Sequence, residues 1–84
     1  MTYQVEFAAT ADAQLQGLPD EAFAALVDEL VKVVRDPWGQ SAPDRHDDDP
    51  AYRWAAYGNG LGFASFYVDE QHQIVRIYDV AWIG

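Results

Sequence analysis

Asp20-Glu21-Ala22-Phe23-Ala24-Ala25-Leu26-Val27-Asp28-Glu29-Leu30-Val31-Lys32-Val33-Val34-Arg35, closed by Asp36-Pro37, is the stretch on which the architecture turns. Phe23, Leu26, Val27, Leu30, Val31 and Val34 recur at the three- and four-residue steps of one helical face. The charges agree with the helix direction: Asp20 and Glu21 fall in the first turn, Lys32 and Arg35 in the last, and Asp28 stands four residues before Lys32. Pro37 lacks the amide hydrogen that another turn would need, so the helix stops there.

Working towards the N-terminus, Gly17 and Pro19 punctuate the chain before this helix. Thr10 is placed to cap a shorter helix carrying Ala11, Ala13 and Leu15, with Asp12 in its first turn. Tyr3, Val5 and Phe7 alternate with Gln4 and Glu6, the period of a strand with one buried face. Towards the C-terminus, residues Trp38 to Pro50 read as a charged loop. Three strands follow. Tyr52, Trp54 and Ala56 share one face of the first, with Trp54 expected in the core or under the helices; Arg53, Ala55 and Tyr57 share the other. Gly58-Asn59-Gly60 tolerates positive φ and signals a hairpin. Leu61 to Val68, the turn Asp69-Glu70-Gln71-His72, and Ile74 to Ile83 complete a meander. The expected fold is a single α+β domain spanning residues 1–84. It consists of an N-terminal strand, a two-helix hairpin, and a three-stranded antiparallel meander. The first strand joins the last to give one curved sheet covered on one side.

Composition narrows the function. Fourteen acidic residues against five basic ones give a formal charge of −9 over 84 residues, a field that repels polyanions and attracts cationic partners. Direct nucleic-acid binding is therefore disfavoured, because Lys32, Arg35, Arg45, Arg53 and Arg76 are scattered along the chain. The absence of cysteine excludes disulfides and thiolate chemistry. No apolar run approaches the roughly 20 residues that span a bilayer. The first residues lack a signal-peptide plan, so no membrane attachment is expected and the cytoplasm is the expected compartment.

The order of elements, and several short stretches within it, resemble the RelE/ParE toxin superfamily of bacterial toxin–antitoxin systems. The stretches are Tyr3-Gln4-Val5-Glu6-Phe7, Leu18-Pro19 before the long helix, and Asp36-Pro37 after it. Tyr52-Arg53, Phe66-Tyr67-Val68-Asp69 and the strand from Ile74 to Val80 continue the likeness. The resemblance implies a toxin that cuts messenger RNA in the ribosome (RelE type) or poisons DNA gyrase (ParE type), neutralised by an antitoxin peptide that wraps its surface. Such ribonucleases rely on lysines and arginines of the sheet and its flanking loops. Two departures stand out. Phe63 occupies the position that usually carries an arginine after the glycine turn. Val80 is followed by Ala81-Trp82-Ile83-Gly84 instead of a Gly-His-Arg-like continuation. Cleavage through a 2′-hydroxyl needs a proton acceptor, a proton donor and positive charge against the transition state, and Phe63 supplies none of these.

Few residues invite chemistry. His46 with Asp47, Asp48 and Asp49 has oxygen ligands for a hard cation, yet lacks the alternating spacing of a calcium loop. We read it as a solvated acidic loop or a landing place for a basic partner, with no metal and no cofactor expected. Arg53 and Arg76 can face the same side and, with Tyr57, Tyr67 or Tyr78, form an anion or partner contact. The plainer expectation is that each arginine pairs with a carboxylate. Trp82 and Ile83 close the last strand and are the candidate interface of a weak homodimer. Together these readings predict a non-catalytic interaction domain with a toxin-like fold, binding a small antitoxin-like or other basic protein. The alternative is an active toxin directed at gyrase or, with less support, at messenger RNA.

Overall fold

The computed structural model describes residues 2–45 and 48–84. β1 (Gln4–Phe7) leads directly into α1 (Ala9–Gln16), and α2 (Asp20–Arg35) follows after a short turn. β2 (Ala42–Pro43), β3 (Tyr52–Tyr57), β4 (Gly62–Asp69) and β5 (Ile74–Trp82) complete the chain. The strands form one sheet in the order β1-β5-β4-β3-β2. β1 runs parallel to β5, and the remaining pairs are antiparallel.

α2 occupies the predicted residues, with both acids of its first turn and both bases of its last in place. α1 starts two residues earlier than a Thr10 cap would set it. Ala8 is the boundary residue because its amide continues the β1–β5 ladder to the Ile77 carbonyl, so strand and helix abut and Thr10 lies inside the first turn. The loop after α2 also departs from expectation. Ala42 and Pro43 pair with Trp54 and Arg53 as a two-residue edge strand, a place where proline's missing donor costs nothing.

Both helices cover one sheet face. Ala11, Ala22, Leu26 and Val33 pack there against Ala55, Tyr57, Ala64, Phe66, Val68, Val75, Ile77 and Val80. Fully burying a side chain such as Phe66 or Leu26 contributes about 1.5–3 kcal/mol. Because β3 turns Arg53, Ala55 and Tyr57 inward, Trp54 lies on the open face and not beneath the helices.

Two local features shape the sheet. The β3–β4 turn holds Gly58, Asn59 and Gly60 at φ of 61°, 59° and 86°. Just beyond it, a Cβ on Gly62 would meet the Tyr57 ring at 2.3 Å, so only glycine lets that ring lie flat on the sheet. In β5 the register skips Tyr78, a bulge between the Ser65–Asp79 and Phe66–Ile77 pairs. Val75 and Ile77 point inward before it and Val80 after it, so the extra residue switches the alternation.

Candidate functional site

The sheet face opposite the helices is the candidate site. Cross-strand register aligns Tyr52, Tyr67 and Arg76 in one row, Trp54, Ser65 and Asp79 in the next, and Ala56, Phe63 and Ala81 in the third. The rings interlock edge-on. Tyr52 meets Tyr67 at a centroid distance of 4.9 Å and Tyr78 at 5.9 Å, while Trp54 meets Phe63 at 5.7 Å. The Tyr78 hydroxyl donates to Asp44 at 3.2 Å. Asp44, Arg45, Trp54, Phe63 and Ser65 line a shallow groove of about 370 Å³ at the β2 side. The Trp54 and Phe63 ring faces suit stacking or a cation, since an aromatic face carries negative potential.

The predicted pairing of Arg53 with Arg76 does not form, because adjacent register rows put them on opposite sides of the sheet. Arg53 and Tyr57 face the helices, whereas Arg76, Tyr67 and Tyr78 face outward. Arg53 is buried. Its Nε donates to Ser41 Oγ at 2.5 Å, and Nη2 donates to the carbonyls of Ser41 at 2.9 Å and Trp38 at 3.2 Å. Its guanidinium stacks over the Trp38 ring at 5.1 Å. The expected carboxylate partner of Arg53 is thus replaced by carbonyls, a hydroxyl and an indole, because the loop after α2 folds back over it. Arg53 fastens that loop to β3 and presents nothing to a ligand. Tyr57 is likewise turned inward, donating to the Ala81 carbonyl at 2.7 Å, and burial pushes its phenol pKa up.

Arg76 does pair as expected. It donates to Asp69 and lies 3.4 Å from Glu6. Asp69 also accepts the His72 backbone amide at 3.1 Å and contacts the His72 ring Nδ1 at 2.9 Å. The Arg76 guanidinium first, and His72 second, hold the Asp69 carboxyl well below the usual carboxylate range. Asp69 in turn raises the pKa of Arg76. Beside this cluster, Glu70 accepts from the Tyr3 hydroxyl, the Trp38 indole and the Gln73 amide. Those bonds, the Tyr3 one foremost, lower the Glu70 pKa, and the bond to Glu70 is the leading cause that raises the pKa of Tyr3. The clasp ties the N-terminus, the loop after α2 and the β4–β5 turn together.

The face is therefore poor in positive charge available to a phosphate. Arg76 already has two carboxylate partners, leaving Arg45, exposed at the groove's rim, as the arginine of this face without an ion pair among the described residues. Phe63, at the position where the family resemblance leads one to look for arginine, is packed on Trp54.

The remaining candidates fall elsewhere. His46 and Asp47 lie outside the described residues. Asp48 and Asp49 are exposed, and Asp49 accepts the Ala51 amide at 2.9 Å, tightening the entry to β3. Among the described residues no group of three or more histidine and carboxylate side chains is placed to hold a metal ion. Trp82 stacks on Tyr57 at 5.7 Å with its ring nearly parallel, while Ile83 is 72% exposed. The indole thus covers the end of the chain's own core and Ile83 projects.

A second surface escaped sequence reasoning. Phe23, Val27 and Val31 of α2 are 47%, 43% and 45% exposed, above a groove of about 290 Å³ floored by Val5, Phe7 and Leu15. Periodicity marks those residues as apolar-face members, but says nothing of how far that face overhangs the sheet.

No protein-family model matches the chain, and no functionally curated protein matches it in sequence. Solved structures do match, end to end. A chain of the Mycobacterium tuberculosis RelBE2 toxin–antitoxin complex is 26% identical, with a TM-score of 0.84 over 98% of this chain and 99% of its own. The isolated E. coli RelE toxin superposes equally well, at 0.84 over 98% of this chain and 85% of RelE, with 17% identity. An arginine-to-alanine double mutant of E. coli RelE bound to an antitoxin RelB peptide matches at 0.78 and 17% identity over 95% and 82%. Among the described residues no helix is long and apolar enough to cross a membrane. Strand order, helix placement and full-length superposition agree: the chain is a structural homologue of the RelE/ParE family of toxin–antitoxin proteins.

Proposed function

We propose that the chain is the toxin member of a toxin–antitoxin pair, held by an antitoxin partner and reaching its target through protein contacts more than through phosphates. The carrying observation is the end-to-end likeness to chains of toxin–antitoxin complexes, on a body whose open face has had its cations withdrawn. Arg53 is buried in structural work and Arg76 is clasped by Asp69 and Glu6. With a net charge of −9, approach to a ribosome carries an electrostatic cost that docking on a protein such as gyrase avoids. A second reading, a non-catalytic binding domain on the same fold, is favoured by Phe63 packing where a phosphate-binding arginine would serve.

Inducing the chain in a bacterial host separates these readings. Growth arrest relieved by co-expressing the product of an adjoining small gene is the outcome expected for the toxin. Unimpaired growth at high expression favours the binding domain. Cleavage of messenger RNA in a ribosome-programmed assay would refute the protein-contact route.

A further inference from the structure

The hairpin end of the open sheet face is uncharged. Residues 54–68 and 80–84 contain no charged side chain, although the chain as a whole carries −9. Trp54, Leu61 and Phe63 are each more than a third exposed there, and Ile83 projects furthest. Register makes them one surface. Trp54 and Phe63 stand in neighbouring rows of β3 and β4, their rings in contact. The Ile83 amide donates to the Leu61 carbonyl at 2.8 Å, carrying the β4–β5 ladder one step past the Gly62–Trp82 pair. Strand alternation then turns Leu61 and Ile83 to the side of Phe63 and Ala81, away from the core. Trp82 is stacked on Tyr57, so its neighbours and not the indole are on offer.

Charge selects the occupant. A basic partner is drawn to carboxylates, and this patch has none within it. A second copy of the same acidic chain is repelled by most of the surface, and here two copies can meet without like charge on like. The apolar stripe of α2 lacks that property, because Asp20, Glu21, Asp28 and Glu29 share its helix.

The rim completes the argument. Arg45 is exposed at the β2 side of the groove, without an ion pair among the described residues, and Asp44 beside it accepts the Tyr78 hydroxyl. Asp79 is exposed on the opposite side, at the β5 end of the row through Trp54 and Ser65. A cation and an anion on opposite sides of an apolar patch become complementary under twofold symmetry. We propose that two copies pair face to face over this end, about a twofold axis running along the strands between β3 and β4. That axis sets Trp54 of each copy over Phe63 of the other and brings each Arg45 to the other copy's Asp79. Leu61 and Ile83 extend the apolar contact past the β3–β4 turn. The four exposed side chains amount to roughly 400 Å² per copy, below the roughly 800 Å² of a standard interface, so the dimer is weak and reversible. It covers the Trp54–Phe63 groove, so a ligand of that groove must meet the monomer. The pairing does not depend on the toxin reading.

Analytical ultracentrifugation of the intact chain, over about a hundredfold range of concentration, tests this. The expected result is a monomer–dimer equilibrium whose dissociation constant rises at least about tenfold on Ile83→Asp or Phe63→Ser. Val27→Ser, on the α2 stripe, should leave it unchanged. Arg45→Asp and Asp79→Arg should each weaken the dimer, and the double reversal, which restores the wild-type net charge, should recover it. Circular dichroism of each variant checks that the fold persists. A chain that stays monomeric throughout would overturn the proposal. So would a dimer indifferent to both Ile83→Asp and Phe63→Ser, or one that Val27→Ser dissolves. Single reversals without effect, or a double reversal that recovers nothing, would overturn the twofold arrangement.

Discussion

Arg53 and Arg76 are the same residue type on the same sheet, and their surroundings could hardly differ more. Arg53 is buried, bonded to neutral carbonyls and a hydroxyl, and capped by an indole. Arg76 is partly exposed, and carboxylates hold it. A buried cation with neutral partners stabilises only while every donor is matched, because its desolvation cost is already incurred. An exposed ion pair is screened and contributes little. The difference teaches that arginine content does not measure anion-binding capacity: one arginine holds the backbone together and the other neutralises its neighbours.

Breaking the buried side should have the largest effect. Arg53→Ala strands the Ser41 and Trp38 carbonyls and leaves a void under Trp38. We expect a loss of about 2–4 kcal/mol, which for a domain of this size lowers the melting temperature by on the order of 10–20 °C. Arg53→Lys keeps the charge but cannot reproduce the fork of donors, so its melting temperature should fall between those of the wild type and Arg53→Ala. Removing only the hydroxyl that bridges Arg53 Nε and the Pro37 carbonyl, with Ser41→Ala, should cost about 1 kcal/mol. Thermal melts of the three variants give the ranking, and an Arg53→Ala protein as stable as Ser41→Ala would contradict the structural role.

The same contrast shows what was legible beforehand. α2 was readable to the residue, because its apolar spacing, its terminal charges and Pro37 all point one way. The meander was readable from Gly58-Asn59-Gly60 and from the alternation in β3. Two calculable-looking features were not. The β5 alternation is switched by the Tyr78 bulge, which leaves no mark in a sequence of mixed apolar and polar residues. The placement of Arg53 depends on residues 37–45 folding back through the Ala42–Pro43 bridge, a long-range event with only Pro43 as a local sign. Opposite strand parity for Arg53 and Arg76 follows from register, and register is a property of the pairing, not of either strand. The exposure of Phe23, Val27 and Val31 was hidden for a related reason: a helix's apolar arc is written in its sequence, but the width of the sheet it must cover is not.

Arg76→Ala should act more gently on the fold and more visibly on its neighbour. The guanidinium is the leading cause of the low Asp69 pKa, so its removal should move the Asp69 carboxyl back up toward the ordinary range, with only His72 still opposing protonation. Carboxyl-carbon NMR across an acid titration reads this directly. The melting temperature at neutral pH should change by much less than for Arg53→Ala, and a comparable drop would show that the exposed pair carries structural weight the contrast denies it.

The smallest effect is a pH dependence, and its direction follows from the same carboxylates. Asp69 and Glu70 both have pKa values lowered in the folded protein, from ordinary values of 3.8 and 4.5. The unfolded chain therefore binds protons more readily than the fold. Whatever stability these groups contribute is fully present above about pH 5 and is lost as pH falls through their depressed folded values. The wild type should thus hold a flat stability profile near neutrality and decline below about pH 4.5, where the unfolded carboxylates begin to take up protons. Glu70→Gln can still accept hydrogen bonds from Tyr3 and Trp38 but cannot titrate, so its decline should be shallower from the upper end of that window. Arg76→Ala should make it shallower at the lower end, where Asp69 dominates. Chemical denaturation at a series of pH values separates the two, and parallel acid limbs in all three proteins would mean that neither carboxylate governs acid stability.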